Sequence, residues 1–310
     1  MLKTVKYSRF IIEFILCTCL FAASCNRKGT AVSEETDMTD PTQTYSIVRP
    51  DNGSGIEVIS EDGSDPLKVR EFIQSYPIPE KSFTARRAKF FHLLDLLKKE
   101  TGSDSVRYDQ VDSLNYMAIH YLLEILKDPK SITSGVRHPL LHCCTSADKR
   151  LRVYSWNEHI APEQQSRINV FQYKLRNGIL YTVFPGSGQT HGETDYRTGQ
   201  IEKIYPMYRQ GDSVELYLLH YSGLHGSGHM YKGFGCVKML PDSLDFSYPA
   251  FDGKYPYVTL HYSGTENADA YFDGHKRSLR LWVAGSTDGS RDSIGKRYTF
   301  DGIRFIPTGY

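Results

Sequence analysis

Leu219-His220-Tyr221-Ser222-Gly223 recurs unchanged as Leu260-His261-Tyr262-Ser263-Gly264, 41 residues further along. The likeness extends past the pentapeptide. Tyr231-Lys232-Gly233 stands the same distance before Phe272-Asp273-Gly274. Each copy reads as a strand, a Gly-containing loop and an aromatic-x-Gly turn. A repeat of this length points to a β domain with an internal duplication.

Strand periodicity places the side chains of each copy. In the first, Leu216, Leu218 and His220 share one face, opposite Tyr217, Leu219 and Tyr221. In the second, Tyr257, Thr259 and His261 share a face, opposite Val258, Leu260 and Tyr262. A Tyr near a strand end buries its ring and keeps its hydroxyl wet, and a His there fixes a loop by hydrogen bonds. The sharper expectation is a polar-aromatic rim that binds a sugar or peptide.

Working outward, strands are predicted at 140–145, 151–156, 167–175, 179–184, 201–207, 214–221, 231–239, 257–263, 279–284 and 304–306. Asn177-Gly178 is a hairpin signal between two of them. No helical pattern interrupts this region. Upstream, Phe83, Phe90, Leu94 and Leu97 recur at helical spacing behind a Ser82 cap, and Gly102 ends the run. Val111, Leu114, Ala118, Tyr121, Leu122 and Ile125 form a second stripe, closed by Pro129. The fold class is therefore α+β: an N-terminal helical hairpin, then a mostly antiparallel all-β domain. A sandwich or open barrel with internal duplication fits best, and a small β-propeller is the alternative.

The chain begins with a basic stretch, an apolar run over Phe10–Phe21 and then Ala22-Ala23-Ser24-Cys25. The run is too short to span a bilayer comfortably and suits an export signal. Residues 26–65 carry nine acidic and three basic groups with few large apolar side chains, the composition of a solvated tether. The segments are thus a signal over 1–24, Cys25 and a polar tether over 25–65, a helical region over 66–135 and a β domain over 136–310. The net charge of +1 gives no general attraction for nucleic acid. Of six cysteines, Cys143, Cys144 and Cys236 lie in the folded part, where export permits Cys236 to pair with one of the other two; three buried thiols are the alternative.

Several residues could carry chemistry. His191, Glu193 and Asp195 alternate along a Gly-rich stretch and, with His225 or His229, could ligate a metal. Glu193, Asp195, Asp269 and Asp273 could supply a carboxylate pair for glycoside hydrolysis. Ser146-Ala147-Asp148-Lys149 has a nucleophile-like Ser-x-x-Lys spacing without the helix that chemistry uses. Aromatic binding candidates are Trp156, Tyr221, Tyr231 and Tyr262, beside His220 and His261. Tyr205, Tyr208, Tyr248, Tyr255 and Tyr271 also fall near strand or loop edges. No motif calls for a cofactor.

Ala22-Ala23-Ser24-Cys25 resembles the site at which bacterial lipoproteins are cleaved and lipidated. With the tether, helices and aromatic β domain that follow, the chain resembles lipoproteins of the Bacteroides-like bacteria. That resemblance implies lipidation at Cys25, a place in the cell envelope at the outer membrane, and a membrane contact through lipid. It implies glycans, peptides or envelope proteins as partners. The expectation is a non-enzymatic binding or assembly module; a secreted carboxylate- or metal-dependent hydrolase and a purely structural component are the alternatives.

Overall fold

Apolar side chains line both faces of the strands at 151–157, 167–174, 215–225 and 229–239, so both faces of these strands must be covered. The computed structural model describes residues 56–58, 71, 75–102, 106–159, 164–175, 177–186, 196–208, 215–226, 228–264, 266–283 and 294–309. The chain divides into units 1–44 and 45–310, and all of these residues belong to the second. The signal, Cys25, nearly all of the tether, and His191, Glu193 and Asp195 lie outside the described residues.

The first sheet has the order β1 (Ile56–Val58), β6 (Leu180–Phe184), β5 (Arg167–Lys174), β3 (Leu151–Asn157) and β2 (His142–Thr145). All of its pairings are antiparallel except the parallel pairing of β1 with β6. The second sheet is built on the long hairpin of β8 (Glu215–His225) and β9 (His229–Met239). β10 (Leu244–Asp245) and β11 (Tyr257–Ser263) pair with β9; β7 (Gln200–Tyr208) and β4 (Gln164–Gln165) pair with β8. The third sheet runs β12 (Ala268–Asp273), β13 (Ser278–Val283), β14 (Ile294–Phe300), β15 (Phe305–Gly309), each antiparallel to the next.

α1 (Phe83–Thr101) and α2 (Tyr108–Lys127) form the expected hairpin, followed by the short α3 (Lys130–Ser134). The Ser82 side chain caps α1 by accepting the Ala85 N–H at 3.1 Å. The helices pack on one face of the first sheet, where Phe90, Leu94 and Leu122 meet Tyr154, Trp156, Ile168 and Val170. Val153, Phe171 and Tyr173, on the opposite face, pack against Tyr217, Leu219, Tyr221 and Val237 of the second sheet. Leu216, Leu218 and Phe234, on the far side of that second sheet, meet Phe272, Leu279, Leu281 and Phe305 of the third. Four layers result: helices, sheet, sheet, sheet. Residue 135 marks a change of secondary structure inside one packed unit, because helices and first sheet share a core.

Both copies of the repeat lie in the second sheet, on the two strands that flank β9. They are not equivalent there. Tyr221 stands opposite Gly233, whereas Tyr262 stands opposite Met230, three positions away along the same strand. An odd offset turns equivalent side chains to opposite faces. Tyr221 therefore faces the first sheet, with its hydroxyl 2.6 Å from the Thr259 hydroxyl, while Tyr262 lies on the other face. The face assignments read from periodicity hold within each strand. The layered β architecture stands, and the two copies of the pentapeptide occupy different seats in one sheet. Three sheets in layers also leave no ring of blades for a propeller.

Glycine and tyrosine interlock in this middle layer. A Cβ on Gly223 would come within 2.2 Å of the Tyr231 ring. One on Gly235 would reach 2.3 Å from Tyr196, and one on Gly233 would reach 2.5 Å from the Tyr221 hydroxyl. Each glycine is the floor on which a tyrosine ring lies.

Candidate functional site

The aromatic residues expected to form a binding rim are interior. Trp156, Tyr221 and Tyr231 are 2%, 0% and 2% exposed, and Tyr262 is also buried. The cause is the layering: both faces of the first and second sheets are covered, so alternate Tyr positions that would be wet on an open sheet are packed. The Trp156 indole N–H donates to Asn115 Oδ1 at 3.0 Å, which ties the ring to α2. His261 remains exposed beside Tyr231, with ring centres 6.3 Å apart.

His220 is placed by a β-bulge. The register of β7 on β8 shifts between Ile201 and Lys203, so Glu202 is the extra residue. Its carboxylate lies 3.4 Å from His220 Nδ1 and also accepts the Ser222 hydroxyl. The His220 ring stacks on Phe234 at 5.1 Å, and its Nε2 is buried without a partner. Burial pushes His220 below the usual histidine range, against the opposing pull of Glu202. The imidazole is oriented like a general base, yet its reactive nitrogen is closed to solvent.

The remaining chemical candidates are separated. His229 is exposed at the start of β9, and the His225 side chain lies outside the described residues. Among the described residues no group of three His, Cys, Asp or Glu side chains could hold a metal ion. Cys143, Cys144 and Cys236 are free thiols; Cys144 and Cys236 belong to different cores. Ser146 sits in the β2–β3 turn, where its hydroxyl donates to Asp148 at 2.5 Å and accepts the Leu151 N–H. The Tyr217 hydroxyl holds the other oxygen of Asp148 at 2.8 Å, and the Arg150–Glu215 ion pair closes the same corner. This network joins the first and second sheets.

Asp273 serves the β12–β13 turn. Its Oδ1 accepts the N–H groups of His275 at 2.9 Å and Lys276 at 3.0 Å. The Lys276 N–H, then that of His275, holds its carboxyl below the usual carboxylate range. Asp269 is four residues back on the same strand face, about 13 Å away at ordinary strand rise. Glycosidase carboxylates stand roughly 5–9.5 Å apart, so this pair does not flank one bond.

What the structure does bring together is the outer face of the third sheet. β12, β13 and β14 turn Ala270, Phe272, Leu279, Leu281 and Tyr298 inward. Tyr271, Arg280 and Arg297 consequently point outward, and all three are exposed. They stand directly opposite one another across three strands, Tyr271 to Arg280 to Arg297. A groove of about 290 Å³ runs here, lined by Tyr271, Asp273, Lys276, Ser278, Arg280 and Arg297. Tyr271 is 54% exposed, so much of its side chain is accessible from this groove. Sequence reading sets Tyr271 at a loop edge and Arg280 on the predicted 279–284 strand, but it has no strands at β12 and β14, so the row that joins them to Arg297 is not visible in it. The alternation Ala268-Asp269-Ala270-Tyr271-Phe272-Asp273 was the available signal.

Among the described residues no helix is long and apolar enough to cross a membrane. No family model, curated relative or solved structure matches this chain.

Proposed function

We propose that the protein is a lipid-anchored cell-envelope module that binds glycan through the outer face of its third sheet. The groove beside the uncovered Tyr271 ring carries this reading. An exposed, flat ring stacks on the apolar face of a sugar. Asp273, Ser278, Arg280 and Arg297 around it offer hydrogen-bonding groups to hydroxyls. Export and lipidation rest on the basic start, the apolar run and the Ala22-Ala23-Ser24-Cys25 site. The nine acidic groups within residues 26–65 give this stretch the composition of a solvated tether.

The test is affinity electrophoresis of the purified full chain against neutral and acidic polysaccharides. At least one should retard the protein, and Tyr271→Ala should weaken that retardation about tenfold with an unchanged melting temperature. Tyr271 is outward-facing, so its removal leaves the core intact. No retardation by any polysaccharide, or equal retardation of the variant, would rule the proposal out.

A further inference from the structure

The row that contains Tyr271 has an unusual charge pattern. Arg280 and Arg297 occupy directly opposed positions on adjacent antiparallel strands. Like charges so placed, with Cβ atoms about 5 Å apart, work against the sheet. Arg304, in the turn between β14 and β15, is by contrast paired with Asp301 at 3.9 Å. Arg280 and Arg297 make no ion pair among the described residues.

The acids that could have served are committed elsewhere. Asp273 spends its Oδ1 on two backbone N–H groups of its own turn. Asp269 is two pairs further along, opposite Trp282 rather than Arg280, and the Ala270 N–H donates to it at 2.9 Å. Lys276 adds a third cation to the groove, against the single carboxylate of Asp273. The lining therefore carries a surplus of two positive charges, counted as three cations less one anion.

From this we infer that the ligand is an acidic glycan. Its anionic substituent sits between the Arg280 and Arg297 guanidinium groups, and an adjoining sugar ring lies on Tyr271. Guanidinium forks match the paired oxygens of a carboxylate or sulfate, and such charge-assisted bonds exceed neutral ones in strength. The register fixes the order of contacts: ring, cation, cation, in one line across three strands. The bound anion would also relieve the repulsion between the two arginines, so the free sheet is prepared for it. The inference rests on the glycan-binding proposal above and names the class of glycan.

The experiment measures binding of the full chain to polygalacturonate, dextran sulfate and uncharged dextran, alongside Arg280→Gln, Arg297→Gln and the double variant. Retention on polygalacturonate or dextran sulfate, absent on dextran, is expected; which of the two binds identifies the substituent as carboxylate or sulfate. Each single variant should lose about tenfold in affinity, and binding should weaken with added salt. The double variant should melt at or above the wild-type temperature, because the like-charge contact is gone. Equal, salt-insensitive binding to dextran would overturn the acidic class while leaving glycan binding intact. Binding to no polysaccharide would overturn both. Capture by phosphatidylglycerol vesicles but by neither acidic polysaccharide would overturn the inference in favour of a lipid surface.

Discussion

Gly223→Ala is expected to destabilise the protein by about 3 kcal/mol, at the upper end of the cost of overpacking a core. The new methyl group would stand 2.2 Å from the end of the Tyr231 ring, so the ring has to move. It has little room to do so: Tyr231 is 2% exposed and packs with Tyr221 at 6.3 Å between ring centres. The equivalent change in the second copy, Gly264→Ala, should cost less than about 1 kcal/mol. Its Cβ would meet only the Gly228 carbonyl at 3.3 Å and the Met230 sulfur at 3.9 Å. Urea unfolding of the two variants measures the difference. Equal losses would mean that the two pentapeptides occupy equivalent seats, and the three-position offset in the sheet would then be wrong.

Asn169 is expected to be at least as sensitive. It lies on the face of the first sheet that meets the second and is 1% exposed. Its Nδ2 is 2.8 Å from the carbonyls of Arg197 and Gly199 and 3.3 Å from that of Tyr196. Its Oδ1 accepts the Ser155 hydroxyl at 2.5 Å. One amide thus holds the turn that feeds β7 and seats Tyr196 over Gly235. Asn169→Leu removes the amide donor to these carbonyls and the acceptor of the Ser155 hydroxyl, at about 1–3 kcal/mol for each lost group, so a loss of about 4 kcal/mol is expected. Asn169→Asp keeps the shape but removes the donor and should lose a similar amount. Thermal and urea unfolding check both. If Asn169→Asp is as stable as wild type, the amide donor does not hold this turn.

Much of this architecture was legible in local sequence. Ser82 and Pro129 marked helix ends, and Asn177-Gly178 closed the β5–β6 hairpin with Gly178 at φ 90°. These signals work because each is settled within a few residues. β12 was missed because its inward residues Ala268 and Ala270 are small, as suits close packing on the second sheet, so the alternation carries little hydrophobic contrast. β14 was missed because Gly295, Lys296 and Arg297 follow its first residue, Ile294, and break the apolar alternation. Without those two strands the outer face could not be seen. Its three key residues stand on three successive strands and meet only through register. The tyrosines misled for a related reason: alternation shows which residues share a face, and tertiary layering decides whether that face is wet. The repeated pentapeptide is the sharpest case, since a three-residue shift reverses what identical sequences touch.

The second sheet is core, and the proposed contact surface is the outer face of the third sheet. Hydrogen exchange of the full chain, with and without the acidic polysaccharide that retains it, tests this most directly. Added protection is predicted within residues 268–283 and 294–300, greatest around the 273–278 turn, with β8 and β9 unchanged. Protection centred on β8, β9 or the helices, with the third sheet unaffected, would contradict it.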